Sequence, residues 1–316
     1  MAFRESRVST SRIGVQRATD CSVARGLMSY EVNASALPEV GNAVRVPSVE
    51  DAEGATPRRH KSGESPRNKS IAAQRVLRSF NTRAFRRERP DNPDLMLQII
   101  SEAISCNEPL SFILYWGKGP RHYVGEPEIK TLDYLAALAR RVREAHVPGA
   151  AITLICTDTH AELNGHSQQD IRAYFDDVAI AGRQRGFESC WLSELMRAAG
   201  AAPSEELAHV DVPKEILPTL CASAMKWFRG DGTAEQGAIQ YYQMNMSEKL
   251  VVELVFPRSI FVTFNGSELR ALFPSCLPIF YMFSLRHGIS DKPWFLPSNL
   301  IARDAPSNVP HLADGP

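Results

Sequence analysis

Apolar side chains at Ile71, Val76, Leu77, Phe80 and Ala84 recur at helical spacing, with Arg75, Arg78, Arg83, Arg86 and Arg87 on the other faces. The spacing predicts a basic amphipathic helix that Pro90 ends. Leu95, Ile99, Ile100 and Ile104 predict a second helix over 94–105, and the aromatic and β-branched run 110–116, set between Pro109 and Gly117, predicts a strand. A long helix over 127–145 follows, built on Ile129, Leu132, Leu135, Leu138, Ala139 and Val142, and Pro148-Gly149 turns the chain into a second strand, 151–157. Strand, helix of about five turns and strand form a βαβ unit, whose crossover makes the strands parallel and the connection right-handed.

Farther on, the periodicity predicts helices over 169–185, 213–228 and 233–245, with a short strand at 188–192. The last third carries three apolar, β-prone runs, 250–256, 259–264 and 277–285, separated by Pro257 and by the pair Asn265-Gly266. These predict further strands, some antiparallel, that complete a mixed sheet on the parallel core. The expected class is therefore α/β.

Residues 1–70 hold few large apolar side chains and no sustained period, so they are expected to be disordered, as is the tail 301–316. Nothing after residue 71 reads as a linker or a repeat, so one domain is expected over 71–300. Lys plus Arg and Asp plus Glu both number 36, which removes the net field that would draw the chain to nucleic acid or an anionic membrane. Cys21, Cys106, Cys156, Cys190, Cys221 and Cys276 form no C-x-x-C and fit free thiols in a reducing compartment. No apolar run approaches the ~20 residues of a membrane helix, and the N-terminus lacks the core of a signal peptide, so a cytoplasmic protein is expected.

Ligands of open α/β sheets bind beyond the carboxyl ends of parallel strands, which directs attention to the segments after the first two. The first, Gly117-Lys118-Gly119-Pro120-Arg121-His122, offers glycines that admit a close approach and two cations, Lys118 and Arg121, suited to a phosphate or carboxylate. It has neither the P-loop nor the dinucleotide-binding spacing, and as a bare signal it reads more readily as an ordinary turn. The second runs through Thr157-Asp158-Thr159-His160 to Asn164-Gly165-His166. Here Asp158 and His160 would share a side if the strand continued and act as acid and base, with Asn164 nearby. The alternative is that Asp158 and Thr159 cap a turn or helix. An iron site of Asp158, His160 and a distant His287 is a third reading, disfavoured because that triad usually belongs to another sheet architecture. Asn265, Lys292 and Trp294 are candidates for the far wall, and Tyr241, Tyr242 and Trp294 are candidates for an aromatic surface or plain core.

The order of these segments, roughly 109 to 296, resembles the isonitrile synthase family of pyoverdine and dityrosine biosynthesis. The residues that carry the likeness are Lys118 and Pro120 after the first strand, 146–150, Thr157-Asp158, 259–266 and Lys292-Pro293-Trp294. The resemblance implies a single Rossmann-like domain that needs no cofactor and condenses an amino acid with ribulose 5-phosphate. Lys118 and Arg121 would then meet the phosphate, and Asp158 would be a base or an amine anchor. The chain departs from the family's Ser-Asp-Gly-like turn at Thr157-Asp158-Thr159-His160, and from its Thr-Pro-Trp-His ending at Lys292-Pro293-Trp294-Phe295. Two other readings remain at this point: an S-adenosylmethionine-dependent transferase or cyclase on the same fold, and a non-enzymatic interaction protein. Small-molecule substrates are the expected partners, with a homodimer possible and with neither nucleic acid nor membrane.

Overall fold

The computed structural model describes residues 66–200, 211–282 and 292–297. All of them belong to one unit, Val32–Pro316. Five strands, β1 Leu110–Trp116, β2 Ala150–Cys156, β3 Glu188–Trp191, β4 Ile260–Thr263 and β5 Ile279–Tyr281, make one sheet in the order β3-β2-β1-β4-β5. Every neighbouring pair is parallel. This is the Rossmann strand order, with the chain walking outward from β1 in one direction and returning to β1's other side for β4.

Successive side chains of a strand point to opposite faces, and both faces are covered. Phe112, Leu114 and Trp116 of β1 join Ile260 and Val262 of β4 in a core shared with the helices α1 Pro66–Phe80, α2 Pro93–Cys106, α3 Glu126–Ala145 and α5 Gln168–Arg183. Ile113 and Phe261 face the other way, into a core with α6 Leu192–Ala198, α7 Leu217–Trp227 and α8 Ala234–Val255. Strands buried on both faces read as continuous apolar runs, which is why β1 and β2 stand out in the sequence. The helix ends follow local chemistry. Asn92 caps α2 by accepting from the Leu95 amide ahead of Pro93, and Ser167 caps α5 at Asp170. Thr233 and Gln236 form a reciprocal capping box that starts α8. The basic helix α1 buries Ala73, Val76 and Phe80, and its Arg75 donates to the Ala145 carbonyl.

The last third corrects two expectations. Residues 250–256 are not a strand: α8 runs on to Val255, with Val251, Val252 and Val255 buried and Leu250 and Leu254 exposed, a helical spacing hidden by the β-branched composition. No antiparallel strand is found among the described residues either, because β4 and β5 extend the sheet in parallel register, Phe261 opposite Ile279. Asn265-Gly266 opens a 3-10 turn, Ser267–Leu272, within a connection long enough to return the chain to the same end of the sheet. Among the described residues, antiparallel pairing is limited to two single bridges, Arg86 with Met282 and Asp91 with Ile279. The expected tails lie outside the described residues, except that 66–70 form the start of α1. Among the described residues, no helix is long and apolar enough to cross a membrane.

Candidate active site

The strand order reverses between β1 and β4, and a crevice opens at such a switch point beyond the strand ends. A cavity of about 140 Å³ lies there, which holds on the order of ten water-sized groups and so fits a small organic molecule. Tyr115, Gly117 and Lys118 at the end of β1 and Val262 to Asn265 at the end of β4 line it, together with Thr157 after β2. The two loops singled out in the sequence thus open on one cavity.

After Thr157 the strand does not persist. The chain turns into a short helix, α4 Asp158–Leu163, and this separates the two residues proposed as an acid–base pair. Asp158 accepts from the Ser193 amide at 3.0 Å, fastening the start of α6, and does not line the cavity. His160 does, and its Nε2 stands 2.6 Å from Glu248 Oε2. Glu248, 1% exposed, also accepts from Thr159 Oγ1 at 2.6 Å. A carboxylate only accepts, so His160 Nε2 carries the proton and Nδ1 is left as the basic nitrogen. The imidazole is wedged edge-on between Tyr115, at 6.1 Å, and Tyr241, at 5.0 Å.

Glu248 escapes the sequence reading because the helix expected over 233–245 runs on to Val255. Tyr241, Asn245 and Glu248 follow one another at i, i+4 and i+7 on α8, a stripe that turns toward His160 and the cavity. The i, i+4, i+7 spacing of these three residues along one helix is the signal the sequence offers.

Tyr115 adds a third group. Its hydroxyl is buried with no hydrogen-bond partner among the described residues. Burial first, and the Glu248 charge second, push its pKa well up, so it stays a neutral phenol able to donate. Tyr115 lines the cavity, and the described residues leave its buried hydroxyl free to donate to a bound group. Tyr115→Phe should therefore leave the urea midpoint unchanged or raise it, while kcat/KM falls by about 10- to 100-fold, the loss of about one or two hydrogen bonds' worth of binding.

The cations divide. Lys118 lines the cavity, but its ammonium donates to the Gly119 and Arg121 carbonyls at 3.2 and 3.0 Å and sits 5.5 Å over the Tyr174 ring. Burial lowers its pKa, with the Asp170 charge opposing the shift. Arg121 does not reach the cavity wall. It donates to the Leu296 carbonyl, to the Pro293 carbonyl at 2.6 Å and to Glu128 Oε1 at 2.6 Å, clamping the 3-10 turn Pro293–Phe295. That turn also explains the loop's glycines. A Cβ on Gly117 would stand 2.7 Å from the Trp294 indole, and one on Gly119 would meet the Trp294 carbonyl, so the close approach is made by this chain's own tryptophan.

Asn164, Asn265, Lys292 and Trp294 all line the cavity, as does Tyr241, whereas Tyr242 is buried in the core under α8. His287 lies outside the described residues. Among the described residues, no three His, Cys, Asp or Glu side chains converge as a metal site would require.

No protein-family model and no curated protein matches the sequence. Among solved structures, the fold matches that of the PvcA protein from Pseudomonas aeruginosa, a member of the isonitrile synthase family that the sequence resembles. The TM-score is 0.51 at 18% identity, over 71% of this chain and 87% of that one. A tyrosyl-tRNA synthetase from Archaeoglobus fulgidus, crystallised with L-tyrosine, aligns at TM-score 0.43 and 14% identity over 66% of this chain and 63% of that one. At such identities the PvcA match establishes a shared fold and nothing finer.

Proposed function

We propose that this protein is an isonitrile-synthase-like enzyme that joins the amine of an amino acid to the carbonyl carbon of a small anionic co-substrate. The observation that carries the reading is the imidazole of His160 on the cavity wall, 2.6 Å from a carboxylate buried behind it. A dyad of that kind is a general base: Glu248 fixes the ring and stabilises the imidazolium, and Nδ1 takes the proton from an incoming ammonium group. The freed amine attacks the carbonyl, and the Tyr115 phenol donates a hydrogen bond to the oxygen on which negative charge develops. Lys118 keeps a positive charge beside the loop where the co-substrate's anionic group would lie. The shared PvcA fold and the ordered segments of the sequence support the same reading.

Incubation of the purified protein with the individual amino acids and ribulose 5-phosphate, followed by mass spectrometry of the small molecules, tests it. The expected result is loss of one amino acid and appearance of a product that retains its side chain and α-nitrogen. Unchanged masses across the whole set would remove the proposal.

A further inference from the structure

Lys292 is the second lysine on the cavity wall, and its setting differs from that of Lys118. Its backbone is fixed: its carbonyl accepts from the Phe295 amide at 2.9 Å, Arg121 grips the Pro293 carbonyl, and Trp294 packs on Trp116 with ring centroids 5.4 Å apart. Its ammonium, unlike that of Lys118, has no hydrogen-bond or ion-pair partner among the described residues. The other titratable groups on the described wall are Tyr115, Lys118, His160 and Tyr241, and no Asp or Glu is among them. A lysine with a rigid base and an amine unengaged among the described residues, on a described wall without carboxylates, is placed as a nucleophile rather than as half of an ion pair.

We propose that Lys292 Nζ captures the carbonyl co-substrate in this cavity as an imine, which the amine of the second substrate then displaces. The first half is independent of the condensation proposed above, and the second half rests on it. In the first half the Nζ lone pair forms a bond to the carbonyl carbon. Nitrogen gives up two hydrogens, both of which leave with the carbonyl oxygen as water, and a C=N bond replaces C=O. In the second half the amino-acid nitrogen adds to this imine carbon in place of the carbonyl, its two hydrogens pass to Lys292 Nζ and Lys292 departs as the free amine, so no oxidant or reductant is needed. The Tyr115 phenol then serves the carbonyl oxygen during the first addition. A protonated imine is more electrophilic than the ketone it replaces, which gives the capture a catalytic purpose.

Burial alone lowers the Lys292 pKa to about 8. At pH 7 roughly a tenth of the amine is then free, on the order of 10²-fold more than for an ordinary lysine. The reactive form is the unprotonated one, so capture accelerates as pH rises toward 8 and levels off above it.

The test uses the full-length protein with dihydroxyacetone phosphate and sodium cyanoborohydride, without any amino acid, read by intact mass and peptide mapping. One reduced adduct on Lys292 is expected, with a trapping rate that rises about tenfold per pH unit and flattens above pH 8. Lys292→Arg, with an unchanged circular dichroism spectrum, should lower trapping by ~10²-fold or more. If that variant does not fold, the peptide map and pH profile of the unaltered chain decide by themselves. No adduct, adducts scattered over surface lysines, or a rate still climbing past pH 10 would overturn the proposal. An adduct on Lys292 without any amino-acid product would sink the condensation and leave the capture standing; product without an adduct would do the reverse.

Discussion

Replacing His160 by alanine is expected to lower kcat for the joining reaction by about 10²- to 10⁴-fold with little change in KM, because the proton acceptor is lost while the cavity is retained. The partner makes the experiment specific. Glu248 holds Nε2 protonated, so Glu248→Gln places an amide opposite the ring, and the carboxamide oxygen can satisfy either Thr159 or His160 but not both. With the amide nitrogen turned toward the ring, His160 must accept at Nε2 and carry its proton on Nδ1, the wrong tautomer for a base. Glu248 is thus a positioning residue, and its substitution should depress kcat toward the level of His160→Ala while KM stays near that of the unaltered chain. The double variant should be no slower than the worse single one, since the two act as a unit. A purely structural role would instead show as a lowered urea midpoint with kcat per folded molecule unchanged.

Glu128→Ala is expected to cost about 3–5 kcal/mol of folding stability, the usual penalty for removing one member of a buried charge pair. Glu128 is completely buried. Its Oε1 accepts from Arg121 at 2.6 Å and from the Tyr174 hydroxyl at 3.2 Å, and its Oε2 accepts from the Gly125 amide at 3.1 Å. Tyr174 in turn accepts from the Trp116 indole at 3.4 Å. Alanine leaves a mostly buried guanidinium and a buried phenol without their acceptor. Glutamine, which keeps one acceptor oxygen, should be milder. Urea unfolding followed by tryptophan fluorescence reads the effect as a lower midpoint at unchanged slope. The same network carries the cavity wall, because Arg121 binds the Pro293 and Leu296 carbonyls on either side of Trp294. Arg121→Ala should therefore lower stability and also reduce trapping at Lys292, whereas an unfolding free energy within about 0.5 kcal/mol of the unaltered chain would contradict the clamp.

The first two strands and their crossover were legible because a period of 3.6 or 2 is set by neighbours along the chain, and 110–116 and 150–156 are apolar enough to be buried on both faces. The direction of β4 and β5 was not. Residues 259–264 and 277–285 look the same whether the next strand pairs up or down, and Asn265-Gly266 suits a hairpin as well as the entry to a 3-10 turn. The error at 250–256 had the larger consequence. Taking Leu250 to Phe256 as a strand broke α8 and hid the stripe that ends in Glu248.

By itself, then, the sequence determined an α/β chain with a parallel core and two polar loops at its rim, since local apolar spacing and turn chemistry suffice for that. Only the tertiary structure decided the chemistry at the rim. It paired His160 with a carboxylate 88 residues away, assigned Arg121 to backbone carbonyls and Glu128, and filled the glycine loop with Trp294. Buried charges and hydroxyls must find partners wherever packing brings them, and packing joins segments whose separation along the chain no local pattern records.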